Sequence, residues 1–137
     1  MHQITTLSHA DAQRAIAVIQ TEILQRGKYG VIAIADAHGE LIALLRMDGA
    51  PLASVTIAVN KAFTAARERK PTLEIGAKFR EKGYDTAWFG DPRYLAWGGG
   101  VPVLVDGNSV GAVAVSGLSQ EEDHELAEMG VQAILVG

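Results

Sequence analysis

Two apolar hairpins constrain this chain more than any other feature. The first reads "GVIAIAD" (Gly30–Asp36), then "AHG", then "ELIALLRMD" (Glu40–Asp48). The second reads "GGGVPVLV" (Gly98–Val105), then "DGNS", then a run ending at Ser116. Short apolar runs joined by tight glycine-containing turns predict antiparallel pairs. Strands apolar at nearly every position belong to a sheet covered by helices. Helical periodicity supplies the covers. Ser8 is placed to cap a helix over about 8–26, with Asp11 in its first turn and Gly27 after its end. Pro51 suits the first position of a second helix reaching Arg69, rich in alanine on its packed side. A third spans Thr72–Gly83, with Thr72 as its cap. Ser119 and Glu122 form a capping-box pattern ahead of a fourth, whose last residues, "AILVG", also suit a strand. Between Tyr84 and Trp97 lie five aromatics with no period, which predicts a loop with one helical turn. The order α-β-β-α-α-loop-β-β-α predicts one α+β domain over residues 1–137.

Composition narrows the function classes. The 137 residues carry 12 basic and 16 acidic side chains, a net charge of −4. Seven of the basic residues fall between Asn60 and Lys82 against three acidic ones, the pattern of a solvated helix face. A mildly acidic chain is poorly suited to the nucleic-acid backbone. Without a cysteine, the chain has no disulfide, thiolate metal site or thiol nucleophile. No apolar run approaches the roughly 20 residues that span a bilayer, and "MHQITTLSHADAQ" lacks the pattern of a secretory signal. The expectation is a cytoplasmic protein without membrane contact.

Four short runs carry a resemblance: Arg46–Ala50 (RMDGA), Lys61–Ala65 (KAFTA), Gly99–Pro102 (GGVP) and Gly111–Gly117 (GAVAVSG). In this order they resemble the GlcG/HbpS-like family of heme-degrading domains, and the C-terminal domain of PduO-type cobalamin adenosyltransferases is similar. The resemblance covers nearly the whole chain. It implies a profilin-like α/β/α sandwich with a five-stranded antiparallel sheet, so one strand beyond the four read above is expected, in the aromatic loop or in "QITTL". It also implies homo-oligomers, dimers or larger, and heme as a possible ligand.

Several residues are candidates for chemistry. Gly98, Gly99 and Gly100 can present backbone N–H groups to an anion, or simply provide the dihedrals that enter the strand. Arg46 offers a planar fork for a carboxylate, or a surface ion pair with Asp48. Lys61 lies among alanines and Phe63, as a snorkelling stem or as a cation aimed into a pocket. Asp123 can orient Lys61 or Arg46, act as a general acid or base, or serve the helix dipole. Ser116 lies in "VSG", outside any serine-hydrolase signature. Of the four histidines, His9 and His124 are the candidate axial ligands for heme iron, with Met47 and Tyr94 behind them. His2 and His38 read as solvated. The ligand-binding set is therefore Arg46, Asp48, Lys61, Gly98, Gly99, Gly100 and Ser116, with Lys61 and Asp123 as candidate catalytic groups.

Three functions remain open. The first is a module binding heme, another tetrapyrrole or a small anion. The second is an enzyme acting on a small carboxylate or hydroxy acid. The third is an accessory oligomeric subunit.

Overall fold

The Ser8 hydroxyl accepts from Asp11 N at 3.1 Å while the Asp11 carboxylate accepts from Ser8 N at 2.8 Å. That reciprocal capping box starts α1, His9–Gln25, in the computed structural model, which describes residues 1–137. The chain continues through β1 (Val31–Asp36), β2 (Leu41–Arg46), α2 (Ser54–Glu68), α3 (Thr72–Lys82), a short 3-10 turn (Thr86–Phe89), β3 (Gly100–Val105), β4 (Asn108–Ser116) and α4 (Gln120–Leu135).

The sheet is antiparallel, in the order β2-β1-β4-β3. Its centre joins the two hairpins through β1 and β4, with Val31 opposite Ser116 and Asp36 opposite Gly111. One face carries Ile32, Ile34, Val113 and Val115, packed with Ile19 and Ile23 of α1 and Leu126 of α4. Each such aliphatic side chain contributes roughly 1.5–3 kcal/mol on burial. The opposite face is built from small residues. Val31, Ala33, Ala35 and Ala114 meet Ala58 and Ala62 of α2, and Ala112 meets Ala65 and Ala66. Alanine on both sides lets α2 lie close against the strands. The result is a mixed α+β fold with helices on both faces of the sheet.

The sheet has four strands, not five. "QITTL" forms no strand. A bulge between Val103 and Leu104 leaves Val110 without a partner on β3, and Leu7 N donates to the Val110 carbonyl at 2.9 Å. A side-chain bond from Ala37 N to Thr6 Oγ1 at 2.9 Å completes the attachment, so this segment is tethered without a ladder. The aromatic loop forms no strand either. Leu95 N donates to Thr64 Oγ1 at 2.9 Å, which pins the loop to α2.

Three boundaries differ from expectation. Pro51 does not open α2. It begins a turn in which its carbonyl accepts from Ser54 N, and the helix starts at Ser54. Thr72 does not cap α3, because its hydroxyl accepts from Gly100 N at 2.9 Å; Pro71 occupies the cap position. "AILVG" continues α4 as helix to Leu135. Ser119 caps that helix, accepting from Glu122 N at 3.1 Å.

Candidate functional site

The two ends of the sheet carry different chemistry. Lys61, from the middle of α2, reaches toward the end where β1 begins and β4 finishes. Its Nζ donates to the Val115 carbonyl and to Asp123 Oδ2, each at 3.1 Å. The second Asp123 oxygen accepts from Leu118 N at 3.1 Å. The Lys61 and Asp123 side chains are only 3% and 2% exposed, so the stem does not snorkel to bulk water. Burial pushes the Lys61 amine below its ordinary value and the Asp123 carboxyl above its own, and each partner opposes the other's displacement.

The glycine triplet makes this geometry possible. Gly99 has φ +133°, and a Cβ there would lie 2.5 Å from the Val115 carbonyl and 2.7 Å from Lys61 Nζ. A Cβ on Gly100 would lie 2.4 Å from the Lys61 carbonyl. Two of the three N–H groups are occupied: Gly98 donates to Gln120 Oε1 at 3.1 Å and Gly100 to Thr72. The triplet brings backbone close to Lys61, and only Gly99 N–H lacks an internal acceptor.

A pocket of about 330 Å³ opens beside the ion pair. Lys61, Asp123, Ser116, Gln120 and Trp97 line it, together with Ser54. The Trp97 ring centroid lies 5.9 Å from Nζ. Lys61 and Asp123 are the only charged groups in its wall. Arg46 shares the α2-side face with Ser116, with Val31 between them in register. It is exposed, makes no ion pair with Asp48 and lines neither this pocket nor the larger cleft at the other end of the sheet. Asp48 is exposed beyond the strand end.

At the opposite end of the sheet lies a larger cleft of about 830 Å³. His2, His38, Arg67, Arg69, Tyr94 and Asn108 contribute to its wall. Asp106 is the one acidic side chain there. Arg69 occupies the left-handed region at φ 60°, as the C-cap of α2, where α3 and the 3-10 turn use Gly83 and Gly90. Asp106 is also left-handed, at φ 51°, as expected for the first residue of an Asp-Gly hairpin turn.

No sequence motif gathers this cluster. His2, His38, the two arginines and Tyr94 come from four separate segments. The legible signal was that α2, antiparallel to β1's partner strand, must end near the β1–β2 turn that holds His38. His9 is exposed on α1 and lines neither cavity. His124 Nε2 lies 3.1 Å from Glu128 Oε1, and its Nδ1 is buried without a partner. His124 also lines neither cavity. Met47 is buried in the core on the α1 side.

Helices on both faces of an antiparallel sheet, with a buried lysine–aspartate pair at one end and a basic cleft at the other, define a small α+β domain. The chain belongs to the HbpS-like family of haem degrading proteins, whose family model matches residues 7–132. It is 40% identical over 118 residues to protein GlcG of Escherichia coli K12, covering 80% of this chain and 81% of that one. Its fold matches the Klebsiella pneumoniae protein ORFY with a TM-score of 0.92 at 28% identity, over 100% of this chain and 96% of the other. It matches the heme complex of PduOC with a TM-score of 0.84 at 27% identity, over 94% and 95% of the two chains. No helix is long and apolar enough to cross a membrane.

Proposed function

We propose that this chain binds heme, and that it does so in the basic cleft between the N-terminal segment, the β1–β2 turn and the end of α2. Family membership and the heme-bound structural relative support the ligand class. The observation that carries the location is the chemistry of the 830 Å³ cleft. A tetrapyrrole of roughly 40 non-hydrogen atoms needs a cleft toward the upper end of the usual 300–1,000 Å³ range. The 330 Å³ pocket is small for it. His38 and His2 supply imidazoles for iron, while Arg67 and Arg69 supply guanidinium groups for propionates. Tyr94 adds an aromatic wall. Bound heme would supply redox or ligand-binding chemistry at its iron. This reading moves the axial ligand away from His9 and His124. Titration of the purified chain with hemin tests it: a saturable Soret shift, lost on His38→Ala and weakened by Arg69→Glu, is expected. A titration unchanged in both variants would overturn the location, and a non-saturating one the ligand.

A second reading rests on the ion pair. A small hydroxylated substrate entering the lesser pocket uncharged would meet Lys61 or Asp123 as the group that moves a proton, whereas a carboxylate would face Asp123 with no cation but the already paired Lys61. Gly99 N–H and Ser116 lie beside it. Self-association is part of the same proposal; exposed Leu52, Trp88 and Trp97 supply apolar surface for a second copy. Light scattering reads the copy number.

A further inference from the structure

Lys61 has the setting of a nucleophile as well as that of a buried cation. Two of its three possible donor directions are used, toward Val115 and Asp123. The third has no protein acceptor, and the residue borders the 330 Å³ pocket. Ser54 and Ser116 are also buried at this wall, and neither hydroxyl has a partner within the protein. Gln120 commits its oxygen to Gly98 N, leaving its amide N–H groups for a ligand. The wall thus holds one amine, one carboxyl group and several neutral hydrogen-bonding groups, with an indole at its rim.

We propose that Lys61 forms a reversible imine with a small neutral aldehyde carrying a hydroxyl group, with Asp123 as the proton carrier. The site is separate from the basic cleft, so the proposal does not depend on heme binding. The charge inventory selects the substrate class. An anionic keto acid would place a second negative group beside Asp123 with no cation other than Lys61 to balance it. A hydroxyaldehyde brings no charge, and its hydroxyl can bond Ser54 or Gln120.

The chemistry balances without an outside reagent. Asp123 takes one proton from the Lys61 ammonium, leaving a neutral amine. The amine nitrogen attacks the carbonyl carbon; a C–N bond forms and the C=O π bond breaks. Asp123 protonates the oxygen, recovers a proton from nitrogen, and then delivers it to the hydroxyl, which departs as water. The product is an iminium beside the Asp123 carboxylate, so the buried pair has the same net charge as before. Displacement of both groups toward their neutral forms by burial favours the first transfer.

The test is reductive trapping of the intact folded chain with glycolaldehyde and cyanoborohydride, read by peptide mass at all five lysines. The hydroxyethyl adduct is expected at Lys61 at least about tenfold faster than at Lys28, Lys70, Lys78 and Lys82, as for an amine with a lowered pKa. Unfolding in urea should erase that preference. A Lys61 that reacts no faster than the surface lysines, or is spared because it is buried, overturns the proposal without need of any variant. In Asp123→Asn, once circular dichroism shows it folded, labelling at Lys61 should fall about tenfold; an unchanged rate overturns the role given to Asp123. Hemin titration of the unlabelled chain reads the other site separately.

Discussion

Lys61 Nζ and Asp123 Oδ2 stand 3.1 Å apart although they are 62 residues apart in the chain. The contact ties α2, on one face of the sheet, to α4, on the other, past the end of β4. Removing one partner leaves a buried charge uncompensated, a loss of about 3–5 kcal/mol. Lys61→Met should therefore lower stability by that amount in urea denaturation. Lys61→Met combined with Asp123→Leu should recover most of it, since apolar replacement of a whole buried pair is often neutral or better.

The pair also gives stability a pH dependence. Burial holds the Asp123 carboxyl above its ordinary 3.8. Between 3.8 and the raised folded value, the folded chain keeps a proton that the unfolded chain has released, so this group's contribution falls as pH rises. Burial holds Lys61 below 10.5. Between that lowered value and 10.5, the unfolded chain binds the extra proton, and the contribution rises with pH. Urea midpoints across pH should carry both slopes in the natural chain. Neither slope should survive in the Met/Leu double variant.

Gly99→Ala is expected to cost at least about 2 kcal/mol, because it combines a left-handed backbone with a buried clash. Its Cβ would meet the Val115 carbonyl at 2.5 Å and Lys61 Nζ at 2.7 Å, and backbone cannot yield as a side-chain tip can. Gly83→Ala makes the comparison clean. That residue is also left-handed, at φ 70°, with nothing near its would-be Cβ. Only the loss at Gly99 should include a steric component and a change in Lys61 reactivity.

Heme affinity should separate the two ends of the sheet. Arg69→Glu replaces a free cation at the cleft with an anion, and should raise the hemin Kd by about tenfold or more. Lys61→Met, at the other end, should leave the hemin Kd within about twofold once folding is matched. Equal losses in the two variants would place the ligand elsewhere.

Local structure was largely legible. The hairpins and helices fall within a few residues of their expected bounds, because period and turn chemistry act over short spans. The Ser8–Asp11 and Ser119–Glu122 caps were readable for the same reason. Register was not. Nothing local specifies that Val31 faces Ser116, so the distance from Arg46 to the pocket stayed hidden. Lys61 stood out as a charge on an apolar face, and Asp123 was already one of its candidate partners. The basic cleft was obscured because His2, His38 and Arg69 each look like ordinary surface residues until the fold gathers them. The fifth strand came from the resemblance, and the bulge that isolates Val110 explains why the N-terminal segment meets the sheet by one backbone bond.

The alanine-to-alanine contact beneath α2 has a consequence for how the chain can vary. Ala33, Ala35, Ala112 and Ala114 face Ala58, Ala62 and Ala65 with no exposed surface to absorb a larger group. A single added methyl there must lift the helix, and the same rigid rod carries Lys61 toward one end of the sheet and Arg67 and Arg69 toward the other. Ile32, Val113 and Leu126 can exchange among aliphatic shapes, because their neighbours can repack. In a pool of random variants selected for folding, the two sides of one sheet would therefore diverge: diversity under α1 and α4, and near silence under α2.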